Sequence, residues 1–146
     1  MSKCFTLQEA AGLLPQVGTL LREAVSLKSQ HDEADQALQA LAQRIALTGG
    51  MVVDRQTPLE IRNRRDQVAG RLKAALEEIQ SLGVLVKDLD IGLIDFPTRF
   101  RGQEVYLCWK MGEPEIGFWH GVHEGYAGRK PIDQDFLTHH EGDKPH

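Results

Sequence analysis

The 146-residue chain is short of most of the features that mark a function class. Its two cysteines, Cys4 and Cys108, are too few for a disulfide framework. Cys108 falls where a strand should be buried, which points to an inert reduced thiol. No apolar run approaches the roughly 18 residues that a membrane span needs, so no membrane role is expected. The opening MSKCFTLQEAAGLL sets Glu9 inside its short apolar stretch, unlike a secretory leader, and a cytoplasmic location is the default expectation. The serines, at positions 2, 26, 29 and 81, are all distant from the late histidines, which leaves serine-based nucleophilic catalysis without support.

Clustered positive charge is scarce as well. Residues 1–83 carry 10 basic and 10 acidic side chains, whereas residues 84–146 carry 7 against 11 and hold the whole net charge of −4. Phosphate backbones need clustered Lys and Arg, so nucleic acid is not an expected partner for the second part; a bound cation or a basic partner suits it better. What remains is ordinary. Apolar residues make up 41% and charged ones 26%, enough for one globular domain with a real core.

Thr6-Leu7-Gln8-Glu9 reads as a capping box, followed by Ala10, Leu14, Val17, Leu21 and Ala24 at helical spacing. Pro15, in the third turn, predicts a kink or a short first segment. A polar band follows from Lys28 to Gln36. Periodicity returns at Leu38, Leu41 and Ile45, and Gly49-Gly50 closes the helix. A second helix opens at Thr57-Pro58-Leu59-Glu60 and carries a heptad-type seam at Ile61, Arg65, Val68, Leu72, Ala75, Ile79 and Leu82, ended by Gly83. Setting Pro58 opposite Ala46 in an antiparallel hairpin brings Leu82 near Arg22. Leu7 to Leu21 then needs another cover. In that register the polar band faces Val68–Leu76, so either the register is off or the band meets a second copy of the chain. Arg44, Arg55, Arg62, Arg64 and Arg65 gather at the hairpin tip, offset by Asp54, Glu60 and Asp66; this is a thin excess for an acidic partner or RNA.

Strand chemistry occupies the remainder: Val84–Val86, Gly92–Phe96, Val105–Lys110 and Ile116–His120. Val105, Leu107 and Trp109 share one face, and Tyr106, Cys108 and Lys110 share the other. The fold expected is α+β: a long antiparallel helical hairpin with a small three- to four-stranded antiparallel sheet packed at its base. Residues 1–132 form one domain, with the hairpin over about 6–83 and the sheet and loop over about 84–132. Residues 133–146 are expected to be a polar, frayed tail.

Two constellations carry candidate chemistry. His120, His123 and Glu124 could ligate a divalent metal such as zinc, with Asp95, ending an earlier strand, as a further ligand. This is not an HExxH motif, because Glu124 follows the second histidine, and Gly121 and Gly125 flank the segment. Ordinary hydrogen-bonded histidines are the commoner outcome at such a spacing. The loop Gly125–Lys130, GYAGRK, could present Arg129 to a small anionic ligand, a carboxylate or phosphate. Its plainer reading is a structural turn, with Arg129 paired to Asp95 or Glu124 and Tyr126 packed on the sheet.

FTLQEAAGLLP, VLVKDLDIGLIDFP and LCWKMGEPEIGFWHGVHEGYAGRKPI resemble, over about Phe5 to Ile132, the uncharacterised prokaryotic family catalogued as domain of unknown function 2203. The resemblance implies a small bacterial cytosolic protein and brings no activity, cofactor or partner with it. Its pattern includes Asp95, the Trp109 strand, Glu113, Trp119-His120 and the loop ending in Arg129. It therefore points to Asp95, Glu113, His120 and Arg129 ahead of His123. The ligand-binding set expected is Asp95, Trp109, Glu113, Trp119, His120, Tyr126 and Arg129, at a polar pocket by the sheet end. Two function readings follow. One is a self-associating, dimeric interaction module; the other is a metal-dependent hydrolase or metal/anion-binding protein using Asp95, His120 and Arg129.

Overall fold

The computed structural model describes residues 3–50 and 56–144. Thr6 opens helix α1 (Leu7–Leu47) through the expected capping box: its hydroxyl takes the Glu9 amide at 3.1 Å and Glu9 returns to the Thr6 amide at 3.0 Å. Pro15 does not shorten the helix; α1 runs unbroken for 41 residues, about 60 Å at ~1.5 Å per residue. Helix α2 (Gln56–Ser81) returns antiparallel along it. It is already helical at Gln56, one residue before Thr57. Asp54 and Arg55 of the arginine tip lie outside the described residues.

The α2 seam faces α1 as its spacing predicts, with Val68, Ala75 and Ile79 buried. The polar band of α1 is polar only on its outward side. Leu27 and Ala34 are buried, Asp35 meets Arg65 at 3.2 Å, and Lys28 turns out to Asp32 and Asp90. Arg65 thus finds Asp35 within about a turn of the position the expected register gives.

After Gly83 the chain builds an antiparallel sheet of six strands, two more than the upper expectation. These are β1 (Leu85–Asp88), β2 (Leu93–Phe100), β3 (Gln103–Lys110), β4 (Phe118–Gly121), β5 (Lys130–Pro131) and β6 (His140–Glu141). The first five run in sequence order as a meander, and β6 pairs with the end of β2 that the short β1 leaves unpaired. Arg101 and Gly102, both at positive φ (52° and 81°), make the tight β2–β3 turn, where glycine adopts that backbone at little cost. Ile94, Phe96, Val105, Leu107 and Trp109 on the inner face pack with Ala10, Val17 and Leu21 of α1, which is the cover that the N-terminal half of the long helix required.

Residues 133–144, expected to be frayed, fold back onto the sheet. Asp133 caps a short helix, α3 (Gln134–His139), and Phe136 is fully buried against Phe100 and Trp119, with ring centroids 4.9 and 5.0 Å away. His140 stacks on Phe136, and its Nε2 accepts the Leu7 amide at 3.0 Å, at the first turn of α1. The polar composition of this tail concealed one aromatic that plugs the sheet. Among the described residues no helix is long and apolar enough to cross a membrane.

Candidate functional site

Alternation along β2 and β3 sends Ile94 and Phe96 inward and Asp95 outward, and likewise Leu107 inward and Cys108 outward. Asp95 is the third residue of an eight-residue strand, not a strand end, and its register partner is Cys108. Cys108 pairs in turn with Phe118, and the neighbouring row sets Tyr106 opposite His120. The outer face of the sheet therefore gathers an acid, a thiol and an imidazole from three adjacent strands. All are buried: Asp95 and Cys108 at 0% exposure and His120 at 3%.

His120 reaches diagonally across β3. Its Nε2 lies 3.0 Å from both Asp95 oxygens, and its Nδ1 lies 2.8 Å from the Gly121 carbonyl. A carbonyl can only accept, so Nδ1 carries a hydrogen and donates it to Gly121, while Nε2 faces the Asp95 carboxylate. Such a pair, taken out of water, is costly to break: losing one partner of a buried ion pair costs about 3–5 kcal/mol. Burial pushes the Cys108 thiol up to about 12; the Asp95 carboxylate adds to the shift and the Arg129 guanidinium opposes it. The reading of Cys108 as an inert packed thiol fits this burial, but it overlooked the company the thiol keeps. One carboxylate oxygen, the Cys108 Sγ and one His120 nitrogen all lie within 4.8 Å of one another.

The remaining expected site residues divide between the two sides of the sheet. Trp109 faces the core and donates its indole hydrogen to the Glu113 carbonyl at 3.1 Å. Trp119 likewise packs inward on Phe100 and Phe136. Glu113 is held by the Lys110 amide at 2.6 Å, and both its oxygens accept from Arg129 Nη2 at 2.7 Å. Arg129 thus pairs with Glu113, not with Asp95 or Glu124. Its guanidinium lies 4.0 Å from the Phe118 ring centre and 4.8 Å from that of Tyr126, which is itself 45% exposed. Burial is the largest single effect and works against its charge, but the Glu113 hydrogen bond with the charges of Cys108, Glu113 and Tyr126 together outweighs it, so the guanidinium sits above its ordinary value. Arg129 Nε is buried without a hydrogen-bond partner, which costs about 1–3 kcal/mol.

The expected His120/His123/Glu124 metal set does not assemble. Glu124 sits in a cradle between Gly121 and Gly128, where a Cβ at either glycine would come within 2.8 or 2.9 Å of it. Its carboxylate accepts from the Gly121 amide and from Lys130, which hold it below the usual carboxylate range, with Lys130 the larger cause. His123 stays on the exposed turn after β4. The third member of the buried cluster is Cys108, and strand alternation alone could have flagged it: Tyr106, Cys108 and Lys110 point away from the apolar face.

A family model described as "Uncharacterized conserved protein (DUF2203)" matches residues 3–132. No curated protein and no solved structure matches the chain.

Proposed function

The chain belongs to the DUF2203 family, and we propose from its own side chains that it is a metal-binding protein: Asp95, Cys108 and His120 Nε2 take one divalent transition metal, with zinc the best fit. The observation that carries this reading is the meeting of one oxygen, one sulfur and one nitrogen donor within 4.8 Å on the buried outer face of the sheet. Tetrahedral zinc at ~2.0–2.3 Å from such ligands spaces them about 3.3–3.8 Å apart, so only small shifts are needed. A mixed N/O/S set favours zinc over magnesium or calcium, which prefer oxygen alone. Three protein ligands leave a fourth position for an exogenous ligand, the arrangement of catalytic sites more than of closed structural ones.

The ion would displace the Cys108 thiol proton, so uptake strengthens as pH rises. The other reading, a self-associating module, drew on the α2 seam. That seam is filled by α1 of the same chain, which leaves the buried donor cluster with the stronger support. The test is elemental analysis of protein purified without an affinity tag, combined with thermal shift on adding zinc, nickel or ferrous iron. About one ion per chain is expected, lost in Cys108→Ala and in His120→Ala. Metal-free protein whose melting none of these ions changes would leave Asp95 and His120 as a merely structural pair.

A further inference from the structure

We propose that the cleft between α1 and the β3–β4 turn binds a small α-amino acid with an apolar side chain, held as its zwitterion. None of Asp95, Cys108 and His120 lines this cleft, and the proposal does not depend on the metal reading. The cleft measures about 360 Å³, near the lower end of the ~300–1,000 Å³ range of ligand pockets, so its occupant is small. Its apolar surface comes from Leu14 of α1 and, across from it, Trp109 and Ile116. The Trp109 indole hydrogen is already engaged by the Glu113 carbonyl, so the ring offers apolar surface only.

Two exposed side chains in the lining, Arg22 and Glu115, have no ion-pair partner among the described residues. Arg22 meets only the Thr19 hydroxyl, at 3.4 Å. Glu113 lines the cleft too, but the Lys110 amide and Arg129 occupy its carboxylate, which leaves Glu115 as the free acid. A free guanidinium and a free carboxylate at one apolar cleft match the two ends of a zwitterion. The ligand carboxylate goes to Arg22 and its ammonium to Glu115.

The helix wall points the same way. It holds Pro15 and Gly18, the two residue types that most oppose a helix, three positions apart in the unbroken α1. Packing does not require Gly18, because a Cβ there would meet nothing nearer than Arg22 Nη1 at 3.7 Å, an ordinary contact. Pro15 has no N–H to give the Ala11 carbonyl, which leaves an acceptor without its helical donor in the cleft wall. Two departures from helix chemistry beside one cavity, neither needed by the helix, are the mark of a functional position. The bare glycine keeps the cleft open, and the Ala11 carbonyl gives the ammonium a second acceptor.

The test is calorimetric titration of the full chain with L-leucine and L-phenylalanine, beside L-leucinamide and 4-methylpentanoate, which lack the carboxylate and the ammonium respectively. Saturable binding is expected with at least one amino acid. Each leucine analogue should bind roughly tenfold more weakly than leucine, the worth of one charge-assisted hydrogen bond. Arg22→Gln should weaken leucine about as much while leaving leucinamide unchanged, and Glu115→Gln should do the same with 4-methylpentanoate as the unchanged ligand. Pro15→Ala should raise Tm, because it restores the bond to Ala11, yet weaken the amino acid several-fold. A merely structural proline predicts the first effect without the second. Gly18→Leu should fill the cleft and abolish binding; if that variant does not fold, Arg22→Gln, at an exposed position, still decides. No saturable binding of either amino acid would overturn the proposal. So would binding that the single-charge analogues match, or that Arg22→Gln leaves intact. Either result leaves the metal reading untouched.

Discussion

Replacing Phe136 with alanine tests whether the last segment belongs to the fold, and its cost can be worked from the structure. The ring has no solvent exposure and contacts three others, with centroids 4.9 Å from Phe100, 5.0 Å from Trp119 and 5.2 Å from His140. Truncating a buried phenylalanine costs about 3–5 kcal/mol, the lost transfer energy plus a cavity that neighbours only partly fill. A helix as short as α3 has no independent stability, so losing its anchor also loosens the His140 contact at Leu7 and the Asp143 contacts at Cys4 and Arg99. Against a typical total of about 5–15 kcal/mol this is a large fraction. With a urea slope of about 1–3 kcal/mol/M, the midpoint should fall by roughly 2 M. Tryptophan emission should shift to longer wavelength as Trp119 loses its cover. Leu137→Ala, on the exposed side of the same helix, should stay within ~0.5 kcal/mol of the parent chain. If Phe136→Ala were equally silent in both midpoint and emission, the tail would be frayed in solution and the packing described for it wrong.

Two further outcomes follow from the titrating groups. In the metal-free chain Cys108, pushed up to about 12 mainly by burial, and Cys4, also raised mainly by burial, stay protonated and enclosed at pH 8. A disulfide-exchange reagent should therefore find almost no thiol in the native chain and two after denaturation; fast modification of Cys108 would contradict its burial. The Asp143 carboxylate is held below its ordinary range first by the Cys4 amide and then by Arg99. A depressed carboxyl group stabilises the fold above its unfolded value of about 3.9 and loses that contribution as pH falls below it. Melting curves from pH 6 to pH 3 should show a shallower acid loss in Asp143→Asn than in the parent chain; parallel curves would remove Asp143 from the tail latch.

The helical hairpin was legible because its signals are local. A threonine, a glutamate three residues on and apolar side chains at three- and four-residue steps bias the chain before any distant contact forms, and both bonds of the capping box are made. The two faces of β3 were legible for the same reason. Alternation with period two put Tyr106 and Cys108 opposite Val105 and Leu107, whatever the partner strand. The importance of Asp95 and His120 came through the family resemblance more than through spacing. Their contact, at 3.0 Å across an intervening strand, has no trace in a separation of 25 residues.

Composition misled at two places. The tail reads as polar because most of its side chains are, yet a single phenylalanine with a place in the aromatic cluster holds a helix there. Glu124 lies beside two histidines in sequence, but the two glycines around it draw its carboxylate back onto its own loop and Lys130. Residue type and local periodicity by themselves determined the two long helices, the first four strands and which of their side chains face the core, since each depends on neighbours a few residues away. Only the tertiary structure decided which acid, thiol and imidazole meet. Strand register is a long-range choice, and slipping it by one residue would turn Asp95 into the core and leave no cluster at all.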